Sequence, residues 1–171
     1  MNNFSLRRAT GADIPRIRQL AERIWWEHYP SIISGAQIAF MLELIYSETA
    51  LQHQMTVEGQ EFWLPEKNGQ TLGFITVSRQ DEGAYFLHKF YLENRERGLG
   101  KIVFELLLAR YPDLRELRLR VNRCNFKSVN FYFKVGFRIE FCIDKPIGED
   151  YVMDDFQMLF LCSPSSQTLT S

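Results

Sequence analysis

The stretch Arg95–Lys101, RERGLGK, runs directly into the apolar segment IVFELLLA, residues 102–109. Gly98 and Gly100 stand one residue apart among charged residues, immediately before a strong helix former. A helix N-terminus presents unpaired N–H groups and a partial positive charge. Without side chains at the two glycines, an anion can approach the amides from Arg97 through Leu99 to Lys101, and Arg95, Arg97 and Lys101 add cationic side chains around the same point. A glycine pair before a helix is equally a plain turn. A P-loop requires Ser or Thr after the lysine, where Ile102 stands, and a dinucleotide fingerprint requires a third glycine, where Val103 stands.

Working outward, the residues before this joint have strand character. FSLRRA from Phe4, EFWLPE, TLGFITVS and GAYFLHKFYL are rich in β-branched and aromatic residues, and the last three are separated by the turn signals KNGQ and RQDEG. Between the first strand and the rest lie two helical stripes. Thr10 with Asp13 marks the start of the first, with Ile14, Ile17, Leu20, Ala21, Ile24, Trp25 and His28 on one face and Pro30 at its end. Ser34 with Gln37 starts the second, whose stripe of Ile38, Met41, Leu42 and Ile45 is expected to continue past Ser47 to Met55. After the glycine joint, a helix to about Pro112 leads to the alternating strand LRELRLRV. The short helix NFKSVNFYFKV follows, ended by Gly136. FRIEFCI and YVMDDFQMLFL form a last pair of strands. The order βααβββαβαββ predicts an α/β fold, an α+β mixed sheet with helices against its faces, in one domain over residues 1–162 with a disordered polar tail at 163–171.

Composition narrows the function classes. The 171 residues carry Lys+Arg 20 against Asp+Glu 21, so no bulk charge draws the chain to nucleic acid or acidic membranes. The cationic stretch LRELRLRVNRCNFK places Arg115, Arg118 and Arg120 off the apolar set of a strand, which a solvated face explains. Cys124, Cys142 and Cys162 lack CxxC spacing, so neither a disulfide framework nor a metal site is expected, and a reducing, cytoplasmic setting fits. MNNFSLRRAT has no apolar signal core, and no apolar run approaches a membrane span.

The order of motifs carries a resemblance. Strand GAYFLHKFYL, the RERGLGK joint with its helix, strand LRLRV and then NRCNFKSVNFYFKVGF together resemble the GNAT superfamily of acetyl-coenzyme A-dependent N-acetyltransferases. Arg95, Gly98 and Gly100 match its pyrophosphate loop. Asn125, Ser128, Phe131, Tyr132, Gly136 and Phe137 match a later block, with serine at its small position. The connection from Leu92 to Arg95 is shorter than in many members. The resemblance implies acetyl-CoA as co-substrate without a metal, lying between two parallel strands that splay apart. Its pantetheine arm would pair with the backbone at Phe90, Tyr91 and Leu92. It further implies acetyl transfer to a primary amine of a small molecule or peptide, with Tyr132 as acid beside the coenzyme sulfur and His88 as candidate base. The acceptor pocket is expected at WWEHYPSIISG, with Trp26, Glu27 and Tyr29 as amine-binding residues. A non-catalytic acetyl-CoA-binding regulatory module would keep the glycine loop without the catalytic groups. The last aromatic-rich strands offer an edge for a homodimer.

Overall fold

A computed structural model describes residues 3–93, 96–148 and 150–162; Arg95 and the tail at 163–171 lie outside the described residues. The elements are β1 (Phe4–Arg8), α1 (Ile14–His28), α2 (Gly35–Tyr46), α3 (Glu48–Thr56), β2 (Glu61–Lys67), β3 (Gln70–Thr71), β4 (Gly73–Asp81), β5 (Ala84–Leu92), α4 (Leu99–Leu108), β6 (Glu116–Asn122), α5 (Phe126–Val135), β7 (Arg138–Gly148) and β8 (Tyr151–Leu161). The strands form one mixed sheet in the order β1-β2-β4-β5-β6-β8-β7, with the short β3 beside β2. Only β5 and β6 pair in parallel; the other neighbours are antiparallel. This is the mixed α/β architecture expected from the motif order.

Two local differences from the sequence reading have physical causes. The second helical stripe is two helices, because Ser47 is extended and its hydroxyl accepts the Ala50 N–H, which starts α3 afresh. The short β3 begins inside the KNGQ turn signal; it extends the hairpin at Asn68-Gly69, where both residues adopt the positive φ that such a tight turn requires. The reciprocal cap at Thr10 is present: the Asp13 carboxylate accepts the Thr10 N–H at 2.8 Å.

Each face of the sheet buries its own apolar cluster. Helices α1, α2 and α3 pack Ile17, Leu20, Ile24, Ile38 and Leu51 on Phe62, Leu64 and Phe74. On the other face α4 and α5 pack Val103, Phe104, Leu107 and Val129 on Ile75, Leu87, Leu117 and Leu119. Strand alternation divides the two sets, as at Phe74 against Ile75. The arginines around β6 are held in ion pairs: Arg118 with Glu116 and Glu140, Arg115 with Glu82, and Arg123 with Asp144.

The sheet opens between its parallel strands. The β5–β6 pairing runs from Ala84↔Glu116 to Leu87↔Leu119 and stops there, although β5 continues to Leu92 and β6 to Asn122. The cause lies on the opposite edge of β5. Val77 faces Leu87 while Thr76 faces Lys89, so His88 is an extra residue in β5. Such a bulge bends its strand and increases its twist. The parting begins at the bulged residue.

Candidate active site

The parting forms a narrow slot walled by Leu87, Phe90, Val121, Asn125, Ser128 and Tyr132. It shares walls with two larger cavities on opposite faces of the sheet. One, of about 240 Å³, lies beside α4 and α5 and is lined by Phe90, Leu92, Gly100, Ser128 and Phe131. The other, of about 310 Å³, lies under α1, α2 and α3 and is lined by Trp25, Tyr46, Gln54, His88, Lys89 and Asp155. Tyr29 and Tyr91 border all three, and their hydroxyls stand 3.2 Å apart.

The first cavity is a groove with the features an extended, anion-tipped ligand needs. The edge of β5 along Phe90, Tyr91 and Leu92 is unpaired on the β6 side and lines it. At one end Gly98 caps α4 with φ 85°, and a Cβ there would meet nothing within 4 Å. Not all of the expected amides are available. Leu99 N–H donates to the Glu96 carbonyl and Lys101 N–H to that of Gly98, so Arg97, Gly98 and Gly100 are the amides of this stretch without an acceptor among the described residues. The Leu99 side chain is core, packed beneath the helix rather than facing the groove. Gly100 also differs from expectation. A Cβ there would stand 2.8 Å from Phe131, so its smallness lets α4 approach α5 rather than making room for an anion. The Arg97 and Lys101 side chains are exposed. Asn125 caps α5 by accepting the Ser128 N–H at 3.2 Å, which sets both residues at the slot.

Tyr132 reaches the slot from α5. Its ring packs on Phe131 and Phe137, and its hydroxyl makes no hydrogen bond to the described residues. Burial, then the nearby Tyr29, pushes the phenol well above its ordinary range, so it remains a proton-bearing group. His88 faces the larger cavity, 2.7 Å from the Ser78 hydroxyl. Burial, reinforced by Lys89 and Arg120, lowers its imidazole to about 4. So weak a base favours the neutral imidazole near pH 7.

The bulge turns the side chains of His88 and Lys89 to the same cavity. Lys89 is only 6% exposed. Its ammonium donates to Gln54 Oε1 at 2.6 Å and Gln60 Oε1 at 3.2 Å, and burial lowers it to about 7. Both amides are aimed: Gln54 Nε2 donates to the Ile45 carbonyl and Gln60 Nε2 to Glu58. Asp155 on β8 is also buried, and burial followed by Asp154 raises it to about 6 against the pull of Arg120 and Arg123. The Lys89 ammonium holds its proton less tightly in the fold than in the unfolded chain, whose value is near 10.5. The resulting cost to stability is complete below about pH 7, shrinks as pH rises and vanishes above the unfolded value. Lys89→Met removes that cost but leaves the Gln54 and Gln60 oxygens without a donor, so its gain near neutral pH is expected to be smaller than about 1.4 kcal/mol for each tenfold weakening of proton binding. Urea unfolding should show the gain shrinking at pH values toward 10.

The expected acceptor residues divide. Tyr29 lines the slot and both cavities. Trp26 and Glu27 do not line the cavity: Trp26 is 44% exposed against Gly35, and Glu27 is on the solvent side of α1. Trp25 takes their place, stacked on Tyr29 four residues on, with ring centroids 4.4 Å apart. Sequence reasoning misses Lys89, Asp155, Gln54 and Gln60. Only Lys89, next to His88 in a strand, carries a local signal. Among the described residues no group of His, Cys, Asp and Glu is arranged to hold a metal, the three cysteines are free and exposed, and no helix is long and apolar enough to cross a membrane.

The sheet thus parts between its two parallel strands, with a glycine-capped helix beside the opening. The acetyltransferase (GNAT) domain family matches residues 32–146, more than half of the chain, and the protein belongs to that family. No curated protein sequence gives a significant match. Among solved structures, the chain is similar to PaiA N-acetyltransferase from Thermoplasma acidophilum in complex with coenzyme A, at 22% identity and TM-score 0.74, covering 94% of this chain and 99% of that one. It is similar to a GCN5-related N-acetyltransferase from Rhodopseudomonas palustris, at 15% identity and TM-score 0.76, covering 95% and 98%. It is also similar to a spermidine N-acetyltransferase chimera from Vibrio cholerae, at 17% identity and TM-score 0.66, covering 92% and 95%.

Proposed function

We propose that the protein transfers an acetyl group from acetyl-CoA to a primary amine by direct attack, with both substrates bound together. The observation that carries this reading is the parting of β5 from β6, which opens a slot lined by Tyr132 that shares walls with the groove beside α4 and α5 and with the cavity under α1, α2 and α3. The pantetheine arm pairs with the free edge of β5, and the diphosphate sits by Gly98. The thioester then reaches the slot from one side and the amine from the other. The amine nitrogen, having lost its ammonium proton, attacks the carbonyl carbon. The C–S bond breaks, and its electron pair leaves with sulfur. Tyr132 donates a hydrogen bond to the developing thiolate, which ends as the thiol by taking the second proton of the amine. The net products are one amide, one thiol and one proton.

In this scheme His88 is a neutral wall of the acceptor cavity, fixed by Ser78. His88→Gln is expected to keep kcat within about tenfold, whereas a placed base is worth at least about a hundredfold. A larger loss, with the pH profile moved, would return the base to His88. The reading as a whole is tested by mixing protein, acetyl-CoA and a panel of amines and following free thiol. Saturable coenzyme binding without amine-dependent thiol release would identify a non-catalytic binding module instead.

A further inference from the structure

We propose that the acceptor is a zwitterion, an amino acid with an apolar side chain, whose carboxylate seats on Lys89 while its amine faces Asp155. The proposal rests on the acetyltransferase reading and adds the acceptor class.

Lys89 carries it. A buried ammonium is ordinarily paired with a carboxylate, because an unpaired charge is expensive away from water. Lys89 instead meets two neutral amide oxygens, each held in place by its own second hydrogen bond. An ammonium has three donors, and beyond the two amide oxygens this one meets only ring faces among the described residues, 5.2 Å from the centre of Phe62 and 5.8 Å from that of Tyr46. The cation is therefore held at the wall of a cavity without its counter-charge. Glu58, the one carboxylate whose field reaches it, is exposed and already engaged by His53 and by Gln60. A ligand carboxylate would complete the pair. Arg120 lines the same cavity from β6, its guanidinium 5.8 Å from the centre of the Phe86 ring, and its charge acts on His88 and Asp155 rather than beside Lys89.

The opposite sign is supplied across the cavity. Asp155 stands on β8, beyond β6, and its carboxylate accepts no hydrogen bond from the described residues. Its charge is felt at the Tyr29 hydroxyl, at the junction of groove and cavity where the reacting nitrogen must lie. Between these poles the wall is apolar, with Trp25, Ile33, Met41, Ile45 and Met153. An anion on Lys89, a cation toward Asp155 and a hydrocarbon side chain between them describe an apolar amino acid. A polyamine would bring a second ammonium beside Lys89, where the lining carboxylate, Glu58, is already engaged by His53 and Gln60.

The test compares leucine with 3-methylbutylamine, phenylalanine with 2-phenylethylamine, and both pairs with spermidine, by amine-dependent thiol release. The expected result is a kcat/KM for each amino acid about 10- to 100-fold above that of its decarboxylated partner, the range for a hydrogen-bonded charge pair. Lys89→Met should collapse that ratio toward one. A coenzyme-induced thermal shift in the variant verifies its fold, and Lys89→Arg should restore part of the preference. Turnover of spermidine or the decarboxylated amines as fast as the amino acids overturns the zwitterion while leaving the acetyltransferase standing. A ratio unchanged in Lys89→Met overturns the role of Lys89. Thiol release with none of the amines, despite coenzyme binding, removes the acetyltransferase reading and this one with it.

Discussion

Coenzyme A affinity should fall by about 100-fold or more in Gly98→Val and in Gly100→Val, an effect of about 2.8 kcal/mol, and the two losses should have different origins. Gly98 has φ 85° and open space around it, so a branched side chain there is not blocked by neighbours. It suffers instead from the left-handed backbone, at roughly 1–2 kcal/mol, and it fills the approach to the helix N-terminus. At Gly100 the first added carbon already collides with Phe131, whose ring stacks on Phe90 at 5.5 Å between centroids. Displacing Phe131 pushes that wall into the groove, and overpacking of this kind costs about 1–3 kcal/mol in stability as well. Calorimetric titration with coenzyme A, alongside thermal unfolding, separates the two. Gly98→Val should lose far more binding than stability, and Gly100→Val should lose both. Undiminished coenzyme binding in Gly98→Val would remove the anion site from the start of α4.

Tyr132→Phe is expected to lower kcat by about 100-fold or more with little change in the KM of either substrate. The ring is packed between Phe131 and Phe137, so phenylalanine preserves those contacts. The hydroxyl has no partner among the described residues, so its removal strands no other polar group and stability should be unchanged. The loss should therefore appear in the chemical step alone. Steady-state kinetics at saturating acetyl-CoA, with urea unfolding as control, decides it. A kcat within threefold or so of the parent would show that the developing thiolate does not depend on the Tyr132 hydroxyl.

The groove beside α4 and α5 is legible in the sequence because its determinants are local. Gly98, the cap residue Asn125, Ser128 and Tyr132 lie in two short segments whose spacing reflects helix starts and a helix face. The larger cavity is not legible, because it depends on contacts between distant segments. Gln54 and Gln60 reach Lys89 from 35 and 29 residues away, and Asp155 belongs to a strand on the far side of β6. Trp26 and Glu27 attract attention by their chemistry, but helix geometry sends Trp25 and Tyr29 inward and those two outward. The break at Ser47 escapes periodicity because the apolar stripe continues through it, although a serine three residues before a free N–H is a local cue.

The extra residue at His88 fixes the parity of everything that follows it in β5. Beyond it, Lys89 and Tyr91 belong to one face and Phe90 and Leu92 to the other, one step out of phase with the first half of the strand. Straightening the strand with that residue kept would exchange the two sets and turn a lysine into the apolar layer beneath α4 and α5. Deleting the residue instead would leave both sets on their present faces, so what the deletion removes is the bend that parts β5 from β6. Side chains around the cavity can therefore be replaced one by one, while the opening itself depends on this one additional position.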